Sequence, residues 1–171
     1  LENGKKVLFD FGDEGDPDDP DDKRIDLCAT LREDMENADK TNYEILAITH
    51  LDNDHTCKAE KFFWFDHAKM YQGKGRFKID TLWVPAGVIT ESRNELGDGA
   101  KALQAEARHR LKKGYGIRVF SRPIALKDWL EDNDLTLEAR SHRITDAGQH
   151  GPELTLAADH REVFVHRPFT S

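Results

Sequence analysis

The chain of 171 residues is long enough to fold as one domain around its own hydrophobic core. Its residues are 37% hydrophobic and 34% charged, and its formal net charge is -8, so its bulk charge disfavours nonspecific binding to nucleic-acid backbones. An anionic substrate would therefore need a local cation.

Short apolar runs alternate with longer helical patterns along the chain. In the first half of the chain, the patterns predict a strand at 5–11, a helix at 23–38, a strand at 43–49, a helix at 57–72 and a strand at 78–86. In the second half, they predict a helix at 98–114, a strand at 116–121, short helices at 126–133 and 136–142, and a hairpin formed by 153–159 and 161–167. The run at 43–49 is almost continuously apolar, which is typical of a buried central strand. This alternation predicts the α/β class, with helices covering a sheet.

Seven acidic residues and two prolines fall within the segment "DEGDPDDPDD" at 13–22. The segment lacks the central glycine and the terminal glutamate of an EF-hand loop. Two interpretations stay open, namely a solvated loop and a flap beside a cationic site.

The two cysteines, Cys28 and Cys57, have no CxxC spacing. We expect reduced thiols and a cytoplasmic protein. No apolar run approaches the roughly 18 residues that a membrane-spanning segment needs, so no membrane segment is predicted in these 171 residues.

The segment "ILAITHLDNDHTC" at 45–57 places two histidines and two aspartates within six residues, directly after a predicted buried strand. The carboxyl ends of strands are where α/β sheets place ligand-binding groups. Side chains alternate along extended backbone, so His50, Asp52 and Asp54 can point the same way, and His55 then starts the following helix. Four ligand-type side chains would converge from one loop.

Two aspartates that converge repel each other, and desolvation raises the pKa of each carboxyl. One divalent cation, or two at about 3.5 to 4 Å as in binuclear hydrolases, would remove this penalty and lower the pKa of bound water to about 7. The alternative is a capped helix start, since Asp and Asn are common N-caps. A cap explains one aspartate, whereas a metal site explains all four side chains.

The pattern His50-x-Asp52-x-Asp54-His55 after "ILAIT", with "VLFDFG" further upstream, resembles the HxHxDH signature of the metallo-β-lactamase superfamily. The form with aspartate at the third position is similar to the hydrolase domain attached to bacterial competence DNA-uptake channels. The resemblance covers 5–86 and returns near the end of the chain. It implies a metallo-β-lactamase-like αββα sandwich. The expected N-terminal hairpin and later metal motifs are absent from 1–171, so one incomplete domain of a longer protein is expected.

The resemblance also implies roles for individual residues. His50 and Asp52 would hold one metal ion, Asp54 and His55 the other, and Asp54 would orient or deprotonate the attacking water as the catalytic residue. Asp10 would hold the ligand side chains in position without binding the metal ion itself. One or two Zn²⁺ ions are expected, and the carboxylate of Asp52 makes Mn²⁺ or Mg²⁺ possible.

Other residues could complete the metal site. His142 and His166 are possible additional ligands near predicted element ends. Cys57 stands where the family has a turn of small residues, so a contact from its thiol is open. His67, among aromatic residues, is predicted to be an ordinary packed or surface histidine.

Two functions follow from these patterns. The first is a metal-dependent hydrolase that uses metal-bound hydroxide on a phosphodiester or similar ester, with a small-molecule or nucleotide-like substrate. Nucleic acid stays open as a partner, although the net charge does not support it. The alternative is a noncatalytic metal-binding or interaction module that retains the hydrolase scaffold. Fold alone does not decide between them.

Overall fold

The computed structural model describes residues 4–16, 18–73 and 75–146, in which helices flank a five-stranded parallel sheet. The predicted α/β class is confirmed. The strands pair side by side in chain order and are β1 (Val7–Phe9), β2 (Asn42–Ala47), β3 (Lys78–Pro85), β4 (Ile117–Phe120) and β5 (Ile144–Thr145). The predicted hairpin at 153–159 and 161–167 lies outside the described residues.

The helices supply most of the apolar side chains that cover one face of the sheet. They are α1 (Leu27–Asn37), α2 (Asn53–Thr56), α3 (Ala59–Phe62), α4 (Ala86–Thr90), α5 (Asp98–Lys113), α6 (Ile124–Glu131) and α7 (Leu137–Arg140), with 3₁₀ turns at Lys69–Tyr71 and Ser141–Arg143. Within the described ranges, no helix combines the length and apolar character needed to cross a bilayer.

Alternation along the central strands separates two apolar clusters. The main core takes Leu46 from β2 and Leu82 from β3, both fully buried, together with the helices. The second cluster consists of Ile45, Ala47 and Trp83, whose side chains point to the other face of the sheet. The central position of β2 and β3 explains why both runs are apolar almost throughout.

Helix α5 confirms the predicted helix at 98–114 almost residue for residue. It ends where Gly114 adopts the left-handed conformation, with φ at 76°, and the Gly114 amide donates to the Arg110 carbonyl at 2.8 Å. Glycine takes this conformation without a Cβ penalty, so the helix stops there.

The predicted helix at 57–72 is wrong. Lys58 has φ at 61°, Phe63 is extended and forms a bridge with Phe77, and only α3 and a 3₁₀ turn remain helical in this region. Phe62, Phe63 and Phe65 are all fully buried. One straight helix buries a single stripe, and successive residues on it point in different directions, so the chain leaves the helix to bury all three rings.

Three elements have no counterpart among the predicted ranges. Helix α2 has four residues, α4 has five and β5 has two. None is long enough to produce a periodic pattern, and α4 follows β3 directly and precedes the loop that reaches the candidate site.

Candidate metal site

The candidate site lies at the carboxyl edge of the sheet, beside the ends of β1 and β2. Asp10 follows β1, and its amide donates to the Ala47 carbonyl of β2 at 2.8 Å. His50 comes three residues after β2 ends, and α2 then carries Asp54 and His55. Adjacent parallel strands end at the same edge, so these side chains are brought together by the topology.

Three of the four predicted ligands form one group. Ligand atoms of His50, Asp54 and His55 all lie within 4.8 Å of one another, so the three side chains could hold one metal ion. The two imidazole rings have centroids 3.7 Å apart, and Asp54 Oδ2 lies 3.3 Å from His55 Nε2. Among the described residues, this is the one such group of histidine, cysteine, aspartate and glutamate side chains.

The Asp10 carboxylate contacts Thr49 and His55 and is not itself in the ligand group. Its Oδ1 accepts from the Thr49 amide at 2.7 Å, and its Oδ2 accepts from the Thr49 hydroxyl at 2.8 Å. The same Oδ2 lies 2.9 Å from His55 Nδ1. Carboxylate contacts of this kind orient metal-binding imidazoles.

These contacts determine which nitrogen of each ring is available. His55 Nδ1–H donates to Asp10, so His55 Nε2 is left with its lone pair when the ring is neutral. The Thr49 hydroxyl gives its proton to Asp10, so it can only accept from His50 Nδ1, at 2.9 Å. Both rings therefore offer Nε2 to a ligand, as metal binding requires, and the donor set fits a divalent metal ion.

The proton on His55 is held by nearby carboxylates. The hydrogen bond to Asp10 is the largest influence and raises the pKa of His55 above its ordinary value, while partial burial opposes it and the charges of Asp10, Asp54 and Asp52 add to it. This negative environment favours a cation between the rings, whether that cation is a proton or a metal ion.

Asp52, the fourth predicted ligand, is engaged elsewhere. Its Oδ1 accepts from Arg93 Nη1 at 2.9 Å, and its Oδ2 lies 3.5 Å from His50 Nε2. The hydrogen bond from Arg93 is the main cause that lowers the pKa of Asp52. Although Asp52 is the N-cap residue of α2, its side chain makes no capping hydrogen bond, so the helix-cap interpretation does not account for its carboxylate.

The backbone of 11–13 forms hydrogen bonds with the segment that carries Asp54 and His55. The Phe11 amide donates to the His55 carbonyl at 2.9 Å, and the Asp13 amide donates to the Cys57 carbonyl at 3.2 Å. A Cβ on Gly12 would lie 1.8 Å from the Asp54 carbonyl oxygen. Only glycine allows this close approach, so Gly12 helps to position Asp54 and His55.

The remaining predicted site residues do not join the group. His142 lies in the 3₁₀ turn before β5, at the amino edge of the sheet, where its carbonyl accepts from Arg118. His166 lies outside the described residues. The Cys57 thiol is not in the ligand group, and His67 packs against Phe65 and contacts Glu106 at 2.9 Å.

The acidic segment is partly folded against the same loop. The Asn53 side chain donates to Glu14 at 3.2 Å, and Asp13 is buried with Lys58 Nζ 3.4 Å away. Asp22 pairs with Arg24 further along. The first residues of the segment therefore pack beside the site, while no metal-ligand group occurs in its described part.

Sequence reasoning missed Thr49 and Arg93. The sequence pattern predicts Thr49 only as the last residue of a strand, although its hydroxyl stands next to His50 in the sequence. Arg93 lies 41 residues from Asp52, and no local pattern connects the two. Only the position of the loop after α4 brings its guanidinium to the site.

Comparison with known proteins finds no family model that matches the chain, and no curated protein or solved structure matches it either. The resemblance to the metallo-β-lactamase superfamily therefore rests on the residues quoted for it.

Proposed function

We propose that the chain binds one divalent metal ion at His50, Asp54 and His55 and hydrolyses an ester of the phosphodiester type. The grouping of these three side chains within 4.8 Å, with Asp10 behind His55, is the observation that supports it. An ion held there would acidify water and polarise an ester oxygen.

The donor set favours zinc. Two imidazole nitrogens and one carboxylate are typical ligands of catalytic Zn²⁺ sites, which use three protein ligands and leave a fourth position for water or substrate. Mn²⁺ remains a second choice, and Mg²⁺ a weaker one because it prefers oxygen ligands.

Asp54 is the proposed catalytic residue. Its side chain is 65% exposed, and one carboxylate oxygen lies 3.3 Å from His55 Nε2. It can therefore accept a proton from water at the open side of the site while Asp10 and Thr49 keep the two rings oriented.

A half-domain of the αββα type is the architecture that we propose for this sheet. The second apolar cluster of Ile45, Ala47 and Trp83 supports it, because a sandwich buries both faces of each sheet. The competing function is a noncatalytic module that binds metal through the same side chains.

The test is metal binding and hydrolysis by the purified chain. We expect about one equivalent of Zn²⁺ by titration calorimetry and elemental analysis, and slow zinc-dependent cleavage of bis(p-nitrophenyl) phosphate. H50A should weaken zinc binding by more than about 100-fold, since even partners of ligands change affinity by about 10- to 100-fold. D54A should abolish hydrolysis and weaken zinc binding.

His109 provides the matched control. It lies on α5, where its ring packs against Tyr115, and H109A should leave zinc binding and hydrolysis unchanged. Zinc binding without hydrolysis would favour the noncatalytic module. Binding that is absent in the wild type, or that persists in H50A, would refute the metal site.

A further inference from the structure

We propose that Arg93 and the cavity beside His50 form a substrate subsite for an anionic ester that carries a compact apolar group. This inference rests on the proposed function for the reaction and adds the substrate class and the residue that recognises it.

Arg93 is held in place but retains hydrogen-bonding capacity. Its Nη1 donates to Asp52 Oδ1 at 2.9 Å and its Nε donates to Glu91 Oε2 at 2.8 Å. The Glu91 carboxylate also accepts from the Arg93 amide. A guanidinium has five N–H donors, so three have no partner among the described residues. Its side chain is 52% exposed.

The cavity next to Arg93 has a volume of about 150 Å³ and adjoins the metal site, because His50, one of the three proposed ligands, lines it together with Arg93. Its remaining walls include Leu51, Pro85 and Val88. A ligand in this cavity would contact the Arg93 guanidinium, the apolar side chains that line the cavity and the His50 ring at the same time. An apolar group with an adjacent anionic oxygen matches that lining.

Charge explains why an arginine beside the proposed metal ion would help to bind an anion. Asp10, Asp52, Asp54 and Glu91 surround the site, and the whole chain carries a formal charge of -8, so an anion would be repelled without a local cation. The two carboxylates on Arg93 fix the orientation of its guanidinium, which reduces the entropy lost when it pairs with an anion. The remaining donors can form charge-assisted hydrogen bonds with a phosphoryl or carboxylate oxygen.

Phenylphosphonate is a suitable probe, since it joins a ring to an anionic group and is not hydrolysed. Its binding is measured by calorimetry on the zinc-loaded and the metal-free chain. R93Q should weaken binding by about 10- to 100-fold, the loss expected for one charge-assisted pair, while leaving zinc affinity within about threefold. R93K keeps the positive charge but lacks the planar guanidinium, so it should reduce phenylphosphonate affinity less than R93Q does.

Arg122 is the matched control, because it is also a partly exposed arginine that pairs with a carboxylate, Asp146 at 3.1 Å. R122Q should not change phenylphosphonate affinity. If the chain binds no zinc, the proposed function fails, yet Arg93-dependent binding of the probe to the metal-free chain would still support the subsite. Zinc binding with no phenylphosphonate binding, or with equal binding in R93Q, would overturn the subsite and leave the metal site standing.

Discussion

At the scale of single residues, one carboxylate organises the site. Asp10 accepts from the Thr49 hydroxyl and lies 2.9 Å from His55 Nδ1, and Thr49 in turn fixes His50. The two rings therefore present the same nitrogen to the same space. The preorganisation comes from hydrogen-bond donors that can each be used only once.

Asp10→Asn should weaken zinc binding by about 10- to 100-fold without unfolding the chain. The amide has one acceptor oxygen in place of two, so it cannot satisfy both Thr49 and His55. Calorimetric titration with Zn²⁺ measures the loss, and circular dichroism checks the fold. Thr49→Ser, which keeps the hydroxyl, is the control and should retain most of the affinity. An unchanged affinity in D10N would show that Asp10 does not position the ligands.

Zinc affinity should rise with pH through a midpoint above the ordinary histidine value. The Asp10 hydrogen bond raises the pKa of His55, so at lower pH His55 carries a proton that a metal ion must displace. Competition titrations from about pH 5.5 to about pH 8.5 should show this slope, with a lower midpoint in D10N because the main cause of the shift is removed. Affinity independent of pH over this range would contradict the role given to His55.

At this scale the sequence was informative where the chemistry is local. The candidate ligands His50, Asp54 and His55 came from their spacing after a strand, and the structure brings them together. The supporting role of Asp10 came from the resemblance and stays a prediction. The partner of Asp52 could not be predicted, because Arg93 reaches it only through the folded positions of β3 and α4. Pairs of residues that lie far apart in the chain produce no local pattern in a single sequence.

At the scale of elements, the site depends on two segments that approach each other unusually closely. Residues 11–13 hydrogen-bond along 55–57, and the first turn of α5 also approaches this turn. A Cβ on Gly99 would lie 1.9 Å from the Thr56 carbonyl oxygen. Two glycines, Gly12 and Gly99, therefore allow neighbouring backbone to approach the short α2 closely.

Gly12→Ala should displace the turn that carries Asp54 and His55 and reduce zinc affinity at least about tenfold. The methyl group would meet the Asp54 carbonyl, which is backbone and cannot rotate away. Calorimetry with Zn²⁺ again provides the measurement. Gly87→Ala is the control, since no atom lies within 4 Å of its Cβ position and alanine is favoured in a helix such as α4. Equal zinc affinity in both variants would show that the turn is not set by the contact at Gly12.

Predicted elements succeeded where the local pattern agrees with the burial that the fold imposes, and they failed where it does not. The nearly continuous apolar runs of β2 and β3 and the capped α5 followed from pattern alone. The predicted helix at 57–72 failed because tertiary burial of Phe62, Phe63 and Phe65 outweighs helical periodicity. Such overrides depend on neighbours distant in sequence, here Phe11 and Phe77.

At the scale of the whole molecule, a buried ion pair connects α5 to the sheet. Arg110 donates to Glu106 at 2.6 Å and to the carbonyls of Ile79 and Gly116 at 3.0 and 2.9 Å. Both charged side chains are almost fully buried. Burial opposes ionisation of Glu106, but the hydrogen bond from His67 and the charge of Arg110 outweigh it and lower the pKa of Glu106 to about 2.

Glu106→Gln should destabilise the fold by about 3 kcal/mol at neutral pH, because Arg110 loses the charge that compensates it. In the wild type the depressed pKa stabilises the fold above about pH 4.5, and this contribution is lost as the pH falls toward about 2. Urea denaturation across that pH range should show this loss of stability in the wild type and a smaller loss in the variant.

The exposed pair Lys127 and Glu131 has the same i, i+4 spacing and serves as the control, and E131Q should change stability by less than about 0.5 kcal/mol. Equal effects of the two substitutions would contradict the structural role of the buried pair.

The α/β class could be predicted from the whole sequence, because alternating strand and helix patterns are averaged over many residues. The order of the five strands could not be, since pairing depends on how the crossovers close in three dimensions. The parallel sheet places the ends of β1 and β2 side by side, and this adjacency explains why Asp10 meets His55.

X-ray absorption at the zinc edge of the zinc-loaded chain reports directly which side chains bind the ion. Two imidazole nitrogens bound to the ion should scatter at about 2.0 to 2.1 Å, together with carboxylate and solvent oxygens, and one imidazole should be lost in H50A. A spectrum without imidazole scattering, or with a sulfur ligand at about 2.3 Å, would contradict a site built from His50, Asp54 and His55.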